Sequence, residues 1–426
     1  MIPRVTVSKK IEFPKMARVV RKFNHPVVRD IEGAVKQEIH SLSHQLSIKA
    51  GSKIAIAVGS RGIAEIELIV KTVAFELKNL GTKPFIVPAM GSHGGATAEG
   101  QKTVLKYLGI TEENIGIPIK SSMEVVKIGK TSMGIPVYLD KIAFESDGIV
   151  LVNRVKKHTD FNGKTESGLM KMLVIGLGKE AGATHIHQAG PPNLPKIIPE
   201  AAEIIIKAAP VLFGIAVVEN GNHRVAKIKA ILPCDFKDEE EKLLKFSNFL
   251  YPKIPFDVDV LIIDEMGKDI SGGGMDSNVI GRIRIRKVEE PDKPDIFRVV
   301  VLDITDSSEG NASGVGLADF TTKRLVDKID FKAFYTNEIA SATPERGKVP
   351  IALATDKDAI KAALQICWMV PSARARVVRI KNTMVLDTFY ISEALIDEVQ
   401  RLSDVVSIEK FQTMGFNLDG SIYSEW

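Results

Sequence analysis

Short, continuous apolar runs recur along the chain, and each is followed by a glycine-rich or polar turn and then by an amphipathic stretch. Such runs are typical of strands that are buried on both faces of a parallel sheet. They occur at residues 53–58, 83–90, 147–152, 257–263, 297–303, 349–354 and 375–380. Helical periodicity occupies residues 31–39, 63–80, 98–108, 198–208, 237–251, 317–328, 357–366 and 391–402. This alternation predicts an α/β fold with mostly parallel sheets, and residues 212–218 and 226–232 predict a hairpin.

The length of the chain, 426 residues, exceeds what one ordinary hydrophobic core supports, so two domains are expected. A charged amphipathic helix ends at Pro252 and Pro255, and a new buried strand begins directly afterwards. We therefore predict an N-terminal α/β domain at residues 1–255 and a C-terminal α/β domain at residues 256–426. Polar loops on both domains favour an active site in the cleft between them.

The composition of the chain indicates the general class of protein but does not indicate which reaction or ligand is involved. The chain is 45% hydrophobic and 26% charged, and a net charge of +4 gives no case for binding nucleic acid. No apolar run reaches the length of a transmembrane span, and the N-terminus lacks an apolar signal core. Cys234 and Cys367 are too few for a disulfide framework. We expect a cytoplasmic protein that binds neither nucleic acid nor membranes, and the sequence leaves open whether it forms a homo-oligomer.

Three of the predicted strands deliver basic or histidine-bearing turns to what should be one edge of a sheet. The turns contain Ser60 and Arg61, then His93 between glycines, then a basic cluster that ends in His158. Ligands bind at the carboxyl ends of parallel strands. A histidine there can move protons near neutral pH, and an arginine can hold a carboxylate or phosphate. These turns therefore predict a catalytic edge.

Residues 161–190 are the stretch richest in glycine, lysine and histidine. His185 and His187 are two residues apart, and on a strand this spacing would put both rings on one face, which suits a metal. Two histidines alone do not define a zinc site, because structural zinc needs four protein ligands. The turn from Gly176 to Lys179 lacks the spacing of a phosphate-binding P-loop, and no dinucleotide-binding fingerprint is present.

Taken together, the turn sequences resemble those of the nickel-pincer nucleotide-dependent lactate racemase family. The resemblance covers most of the chain in element order and is most specific between residues 51 and 190. It rests on Gly59-Ser60-Arg61, Gly91-Ser92-His93-Gly94-Gly95, His158 with the glycine-rich segment up to Lys171, His187, and Asp264 to Gly274. It implies two α/β domains around a cleft and a nicotinate-derived cofactor that carries nickel and is joined to a lysine through a thioamide bond.

The resemblance also implies how the cofactor is held. Lys171 matches the lysine that carries the nickel-pincer nucleotide, but the residues around it differ from those of the founding enzyme, so Lys164 and Lys179 stay open as alternatives. His187 matches the histidine that binds nickel, and His185 is its rival. The remaining residues expected to contact the cofactor are Ser60, Gly176 and Gly178.

The implied catalytic residues are two histidines and two cations. His93 and His158 match a pair of acid–base histidines on opposite faces of the substrate, whereas Arg61 and Lys268 match the groups that hold the substrate. The implied reaction is racemisation or epimerisation of a 2-hydroxy acid. Hydride transfer leaves a planar 2-keto acid that can receive the hydride back on either face, while a histidine handles the hydroxyl proton. The expected partners are a small 2-hydroxy acid and the enzymes that mature the cofactor.

Two functions of other classes remain as alternatives to the racemase. A metal-dependent, zinc-type hydrolase would use His93, His158, His185 and His187, although no carboxylate is spaced with them as a clear third ligand or base. A non-catalytic binding protein that kept the fold is the other alternative. The hydrolase predicts a bound metal without a covalent cofactor, so an intact mass and a metal determination separate it from the racemase.

Overall fold

A computed structural model describes residues 11–423, and within that range sixteen strands alternate with fourteen α-helices. The strands are β1 (Lys15–Arg21), β2 (Lys53–Val58), β3 (Lys83–Pro88), β4 (Val125–Lys130), β5 (Pro136–Asp140), β6 (Gly148–Arg154), β7 (Val211–Glu219), β8 (Val225–Ile231), β9 (Val258–Met266), β10 (Ile296–Ile304), β11 (Phe320–Thr322), β12 (Ile351–Leu353), β13 (Val377–Asn382), β14 (Val385–Ser392), β15 (Val405–Ile408) and β16 (Gln412–Thr413).

The α-helices connect these strands and are mostly short. They are α1 (Ile31–Leu42), α2 (Ile66–Asn79), α3 (Ala98–Tyr107), α4 (Glu112–Ile115), α5 (Lys141–Phe144), α6 (Leu169–Lys171), α7 (Lys179–His187), α8 (Leu194–Ala208), α9 (Phe236–Leu250), α10 (Ser277–Ile280), α11 (Lys323–Asp327), α12 (Phe331–Ser341), α13 (Asp356–Gln365) and α14 (Ile396–Gln400). A π-helical segment, Met172–Gly176, follows α6 directly. In the part of the chain that the structure describes, no helix is both long and apolar enough to cross a membrane.

The chain divides into two compact units. The central unit comprises His25–Tyr251, and the terminal unit combines the described residues on either side of it, 11–24 and 252–423. The predicted domains at residues 1–255 and 256–426 stay predictions. In the structure, β1 pairs with β14 and β15 and so belongs to the sheet of the terminal unit.

The central unit is built on a five-stranded sheet in the order β3-β2-β6-β7-β8. The first four strands are parallel, and β8 returns antiparallel from β7 as the predicted hairpin. Strand residues alternate between the two faces. Ile54 and Ile56 pack in a core with residues of α1 and α2, whereas Ala55 and Ala57 pack in a second core with residues of α6 to α9. This burial on both faces explains the continuous apolar runs.

The terminal unit contains a nine-stranded mixed sheet. Strands β12, β11, β10, β9 and β13 are parallel neighbours, and β14, β1 and β15 continue the sheet antiparallel. The smaller strand β16 also pairs with β1. The prediction of an α/β fold with mostly parallel sheets is confirmed, with parallel pairing among β3, β2, β6 and β7 in the central unit and among β12, β11, β10, β9 and β13 in the terminal unit.

Three local predictions are wrong. Residues 320–322 form β11 rather than helix, and the Thr321 and Thr322 hydroxyls each donate to a carbonyl of β10. The helix expected from residue 391 begins only at Ile396, because β14 continues to Ser392. His185 and His187 lie on helix α7 and not on a strand, so their side chains do not share a face.

Candidate active site

The turns after β2, β3 and β6 meet at one edge of the central sheet. The three strands are parallel and in register, with Val58 opposite Pro88 on one side and opposite Val152 on the other. The topology therefore brings the turns that carry Arg61, His93 and His158 to the same edge, as the order of elements predicted.

Ser60 and His93 join two of these turns. Ser60 Oγ and His93 Nδ1 share a short hydrogen bond, whose donor depends on the tautomer of the ring. The turn can fold this tightly because Gly94 has a φ of +67°, and a Cβ there would meet the backbone of Gly100 at 2.5 Å. His93 itself is exposed, so its other ring nitrogen can reach a ligand.

His158 is held by its own loop. The buried carboxylate of Glu166 accepts the backbone N–H of His158 at 2.5 Å and that of Gly163 at 3.1 Å. The imidazole stacks on the buried ring of Phe161, with centroids 4.4 Å apart. Burial, followed by the positive charge of Lys171, lowers the pKa of His158 well below 6.5. The ring is therefore neutral at physiological pH.

Lys171 meets His158 directly, with 2.5 Å between its Nζ and His158 Nε2. The backbone N–H of Asp160 donates to the other ring nitrogen, Nδ1, at 3.1 Å. Which of the two groups donates depends on the tautomer of the ring and on the charge of the amine. Burial, with further contributions from the cations Arg61 and Lys156, lowers the pKa of Lys171 from 10.5 to about 8. An amine in this state is a nucleophile near neutral pH.

The backbone around Lys171 is unusual. Lys171 ends the single turn of α6, and the π-helical segment begins at the next residue; such segments are frequent at functional sites. The buried carboxylate of Glu240 on α9 accepts the backbone N–H groups of both Leu169 and Met170, which α6 itself cannot satisfy. Burial raises the pKa of Glu240 to about 7, despite these two hydrogen bonds. A carboxylate from a distant helix thus caps the turn that presents Lys171.

His187 and His185 differ in their surroundings. Burial and the nearby charge of Lys171 lower the pKa of His187 from 6.5 to about 4, so its ring is neutral and able to bind a metal. His185 Nδ1 lies 2.7 Å from the carbonyl of Ala181 on its own helix, and its ring packs 5.4 Å from that of Tyr138. The charge of Lys171 acts on His187, and the charge of His187 acts on His158, so the three groups lie near one another. This proximity groups His187, and not His185, with the other candidate residues.

The two alternative lysines lie in different environments. Lys164 is 80% exposed and pairs with Glu241 at 3.8 Å. Lys179 is fully buried and forms an ion pair with the equally buried Asp140 at 3.2 Å. Neither resembles the environment of Lys171, which is half-buried beside a histidine.

Gly176 and Gly178 have packing roles in this structure. Both are buried. A Cβ on Gly176 would lie 2.6 Å from the carbonyl oxygen of Ala89, and one on Gly178 would lie 2.3 Å from that of Val174. These glycines let the segment after Lys171 pack closely against the turn that carries His93. Contact of either glycine with a cofactor stays a prediction.

Lys268 belongs to the terminal unit, where it follows β9. Its Nζ donates to the carbonyl of Gly272 at 2.7 Å, and its backbone N–H donates to Ser308 Oγ at 2.8 Å. Its predicted role as a substrate-holding cation stays a prediction.

The electrostatic character of the site in the central unit favours an anionic ligand. Arg61 and Lys156 both lower the affinity of Lys171 for a proton, and Arg154 lowers that of Arg61. Arg61 is an exposed residue. The protein around its guanidinium nevertheless reduces the hydration of that group, and this loss of hydration lowers its pKa. Asp160 and Glu166 offset only part of this charge. A carboxylate or phosphate would relieve the repulsion.

Comparison with known proteins identifies the first part of the chain. Residues 6–193 match the model of the lactate racemase N-terminal domain. This part of the chain belongs to the lactate racemase family. The structure of the lactate racemase apoprotein from Thermoanaerobacterium thermosaccharolyticum is similar to the whole fold, with a TM-score of 0.52 and 13% sequence identity, covering 87% of this chain and 98% of that one. No curated protein matches the chain.

The residues of this lactate racemase N-terminal domain fit a covalently held, metal-bearing cofactor. Lys171 offers an amine with a lowered pKa, and His187 offers a neutral imidazole. Among residues 11–423, no three or more histidine, cysteine, aspartate or glutamate side chains are grouped so that they could hold a metal ion. This observation gives no support to the zinc-type hydrolase.

Several residues of the site were not predicted from the sequence. Glu240 lies in a run of four acidic residues that looks like a solvated helix face, yet it occupies the buried stripe of α9 with Phe236 and Leu243. A test for carboxylates on the apolar face of a helix would have found it. Glu166 and Asp160 carry no such signal, because their roles depend on how the loop folds around His158.

Proposed function

We propose that this protein is a racemase or epimerase of a 2-hydroxy acid that works with a nickel-pincer nucleotide cofactor joined to Lys171. The observation that carries the proposal is the meeting of Lys171 with His158, within a group of residues that also includes His187 and Arg61. The membership of residues 6–193 in the lactate racemase family supports it.

Lys171 and His187 would hold the cofactor. An uncharged amine at Lys171 can form the covalent bond, and the neutral ring of His187 can bind the nickel ion. When bound, the cofactor would supply the group that accepts and returns a hydride. The π-helical segment and the cap from Glu240 fix the backbone on both sides of Lys171, which limits where its side chain can place a ligand.

His93 and His158 would move the hydroxyl proton of the substrate. Removing a hydride from the carbon of a 2-hydroxy acid requires a base for that proton, and return of the hydride requires an acid; a neutral histidine can serve in turn as both. The bond with Ser60 orients the ring of His93, and the backbone N–H of Asp160 orients that of His158. Arg61 would hold the substrate carboxylate, so that only the reacting carbon changes geometry.

The test is a chirality assay on protein produced together with cofactor-maturation enzymes. Single enantiomers of short, acidic, aromatic and sugar-derived 2-hydroxy acids are incubated with the protein, and loss of enantiomeric purity is measured. Intact mass and nickel content are determined on the same sample. We expect one added cofactor mass, nickel, and isomerisation of at least one acid.

Four variants make the result specific, with Lys164→Ala as the matched control for Lys171→Ala. Lys171→Ala should lose the added mass and the nickel, whereas Lys164→Ala should keep both, because Lys164 lies on the surface. His93→Gln and His158→Gln should keep the nickel and lose isomerisation by a factor of about 10² to 10⁴. A loaded protein that changes no stereocentre in the whole panel would refute the proposal. A tightly bound zinc ion without added mass would favour the hydrolase.

A further inference from the structure

A buried glutamine supports the turn that carries His93. Gln101, on α3, is fully buried. Its Nε2 donates to the carbonyl of Gly91 at 2.8 Å and, more weakly, to that of His93 at 3.4 Å. Its Oε1 accepts a hydrogen bond from Lys179 at 2.9 Å. The side chain thus connects the His93 turn with the first residue of α7.

The ammonium group of Lys179 makes two hydrogen bonds and one ion pair. Besides Gln101, it donates to the carbonyl of Pro88 at the end of β3, at 2.6 Å, and it pairs with Asp140 at the end of β5, at 3.2 Å. Asp140 Oδ1 in turn accepts the backbone N–H of Ala143 at 2.8 Å. The ammonium group therefore ties β3, β5 and α3 to the helix whose last residue is His187.

The lysine determines which way the amide of Gln101 points. An ammonium group only donates hydrogen bonds, so the amide oxygen must face Lys179. The amide nitrogen must then face the carbonyls of Gly91 and His93, both of which only accept. A neutral residue in place of Lys179 would leave the two orientations of the amide closer in free energy.

This arrangement is costly and is not needed for packing. Burying an ion pair is often no more stabilising than packing apolar side chains of the same volume. Lys179 also has a φ of +54°, in the left-handed region, which is strained for a residue other than glycine. The turn that it supports is glycine-rich and exposed at His93. The amide of Gln101 adds to the backbone hydrogen bonds of this turn, such as those from Gly91 to the carbonyl of Gly176 and from His93 to the carbonyl of Met90.

We propose that Gln101 is a positioning residue for His93, and that the buried pair of Lys179 and Asp140 orients Gln101 for this task. The network holds the carbonyls on either side of Ser92, and so keeps the imidazole of His93 within reach of Ser60. The inference rests on the proposed function only in taking His93 to be a proton-transfer group.

The test uses Gln101→Glu. The glutamate retains an oxygen for Lys179 but has no donor, and its second oxygen faces the carbonyls of Gly91 and His93. Gln101→Met, which removes both ends of the contact without adding charge, is the second variant if the first folds poorly. Gln37→Glu is the matched control, since Gln37 is exposed on α1 of the same unit. Ser60→Ala supplies the reference signal of a His93 ring that has lost its partner.

The first readout is the ring nitrogen signal of His93 in ¹⁵N-histidine-labelled protein without cofactor, assigned with His93→Gln among the eight histidines. We expect Gln101→Glu and Gln101→Met to move this signal toward that of Ser60→Ala, and Gln37→Glu to leave it unchanged. In loaded enzyme, kcat should fall on the order of tenfold at nearly constant KM. A His93 signal unchanged in both Gln101 variants, or moved equally by Gln37→Glu, would overturn the proposal.

The proposed function and the proposed role of Gln101 can be refuted independently of each other. The ring signal is recorded on protein without cofactor, so it tests the role of Gln101 whether or not the protein is a racemase. If the signal moves as expected but loaded wild-type protein isomerises no acid, the proposed function is wrong and the positioning of His93 by Gln101 stands.

Discussion

The Nζ of Lys171 lies 2.5 Å from Nε2 of His158, and this contact joins a nucleophilic amine to a neutral imidazole in the central unit. The contact explains how a lysine can be reactive without being exposed. Burial and neighbouring cations disfavour the ammonium form, so a larger share of the amine is uncharged near neutral pH than in an ordinary exposed lysine.

The first prediction concerns the reactivity of Lys171. Acetylation of the amine in protein without cofactor, followed by peptide mass spectrometry from pH 6 to 11, should show a rate that levels off near pH 8, because the pKa is about 8 and only the free amine reacts. Lys164, which is 80% exposed, serves as an accessible reference in the same digest. A rate at Lys171 that still rises steeply above pH 9 would contradict the lowered pKa.

The second prediction separates the two neighbouring histidines of α7. His187→Ala should weaken nickel binding by loaded protein at least about tenfold, since loss of even an outer-shell partner of a metal site costs that much. His185→Ala should leave nickel bound, because the ring of His185 lies by the carbonyl of Ala181 and by Tyr138. Nickel per protein is measured after dialysis. The reverse pattern would make His185 the ligand.

How much of the fold could be predicted from the sequence depends on how far apart along the chain the interacting residues lie. Strands such as β2 and β6 were predictable because burial on both faces leaves a continuous apolar run. Strand β1 was not, because it is stabilised by pairing with β14, more than 360 residues away. The spacing of His185 and His187 fits a strand or a helix equally, and only the packing of Ala183 and Ile186 in the core makes it a helix.

The residues of the candidate site fall into the same two groups: those that local sequence predicts and those that depend on contacts with distant parts of the chain. His93, Arg61 and His158 were found because chemistry-bearing residues directly follow parallel strands, a rule that depends on local order alone. Glu240 and Gln101 were not, because each acts through a backbone group from another part of the chain: Leu169 in one case and Gly91 in the other. The apolar stripe of α9 could have marked Glu240 as buried, but nothing in either local sequence indicates which backbone groups these side chains contact.

The third prediction is a dependence of stability on pH through Glu240. The folded state raises its pKa from 4.5 to about 7, so the folded protein binds a proton more tightly than the unfolded chain does. The resulting stability is fully present below pH 4.5 and is lost as the pH rises through 7. At about 1.4 kcal/mol per pH unit, the loss is on the order of 3 kcal/mol.

Glu240→Gln measures this effect, because the amide oxygen can still accept from Leu169 and Met170 but carries no charge. The difference in Tm between Glu240→Gln and wild type should grow in favour of the variant from pH 5 to pH 7.5. Comparing the two proteins at each pH cancels the contribution of His158 and His187, which titrate in both. A difference that is constant with pH would show that Glu240 titrates normally.

The fourth prediction concerns the buried pair of Lys179 and Asp140. Lys179→Met should lower the free energy of unfolding on the order of 3–5 kcal/mol, because it leaves a buried carboxylate without its cation. Burial already raises the pKa of Asp140 even with Lys179 in place, so the unpaired group would take up a proton at still higher pH. Urea unfolding at pH 7 measures the loss, with Lys164→Met as the control that should change stability little.

The double variant Lys179→Met with Asp140→Asn shows whether the loss comes from charge or from packing. Removing the negative charge should recover part of the stability lost in Lys179→Met, since the amide needs no cation, and the recovery should be larger at pH 8 than at pH 5. If the double variant is as unstable as Lys179→Met at both pH values, the lysine stabilises the unit through its hydrogen bonds to Pro88 and Gln101 and through packing rather than through its charge. In that case the orientation of Gln101 would depend on the hydrogen bond from Lys179 alone.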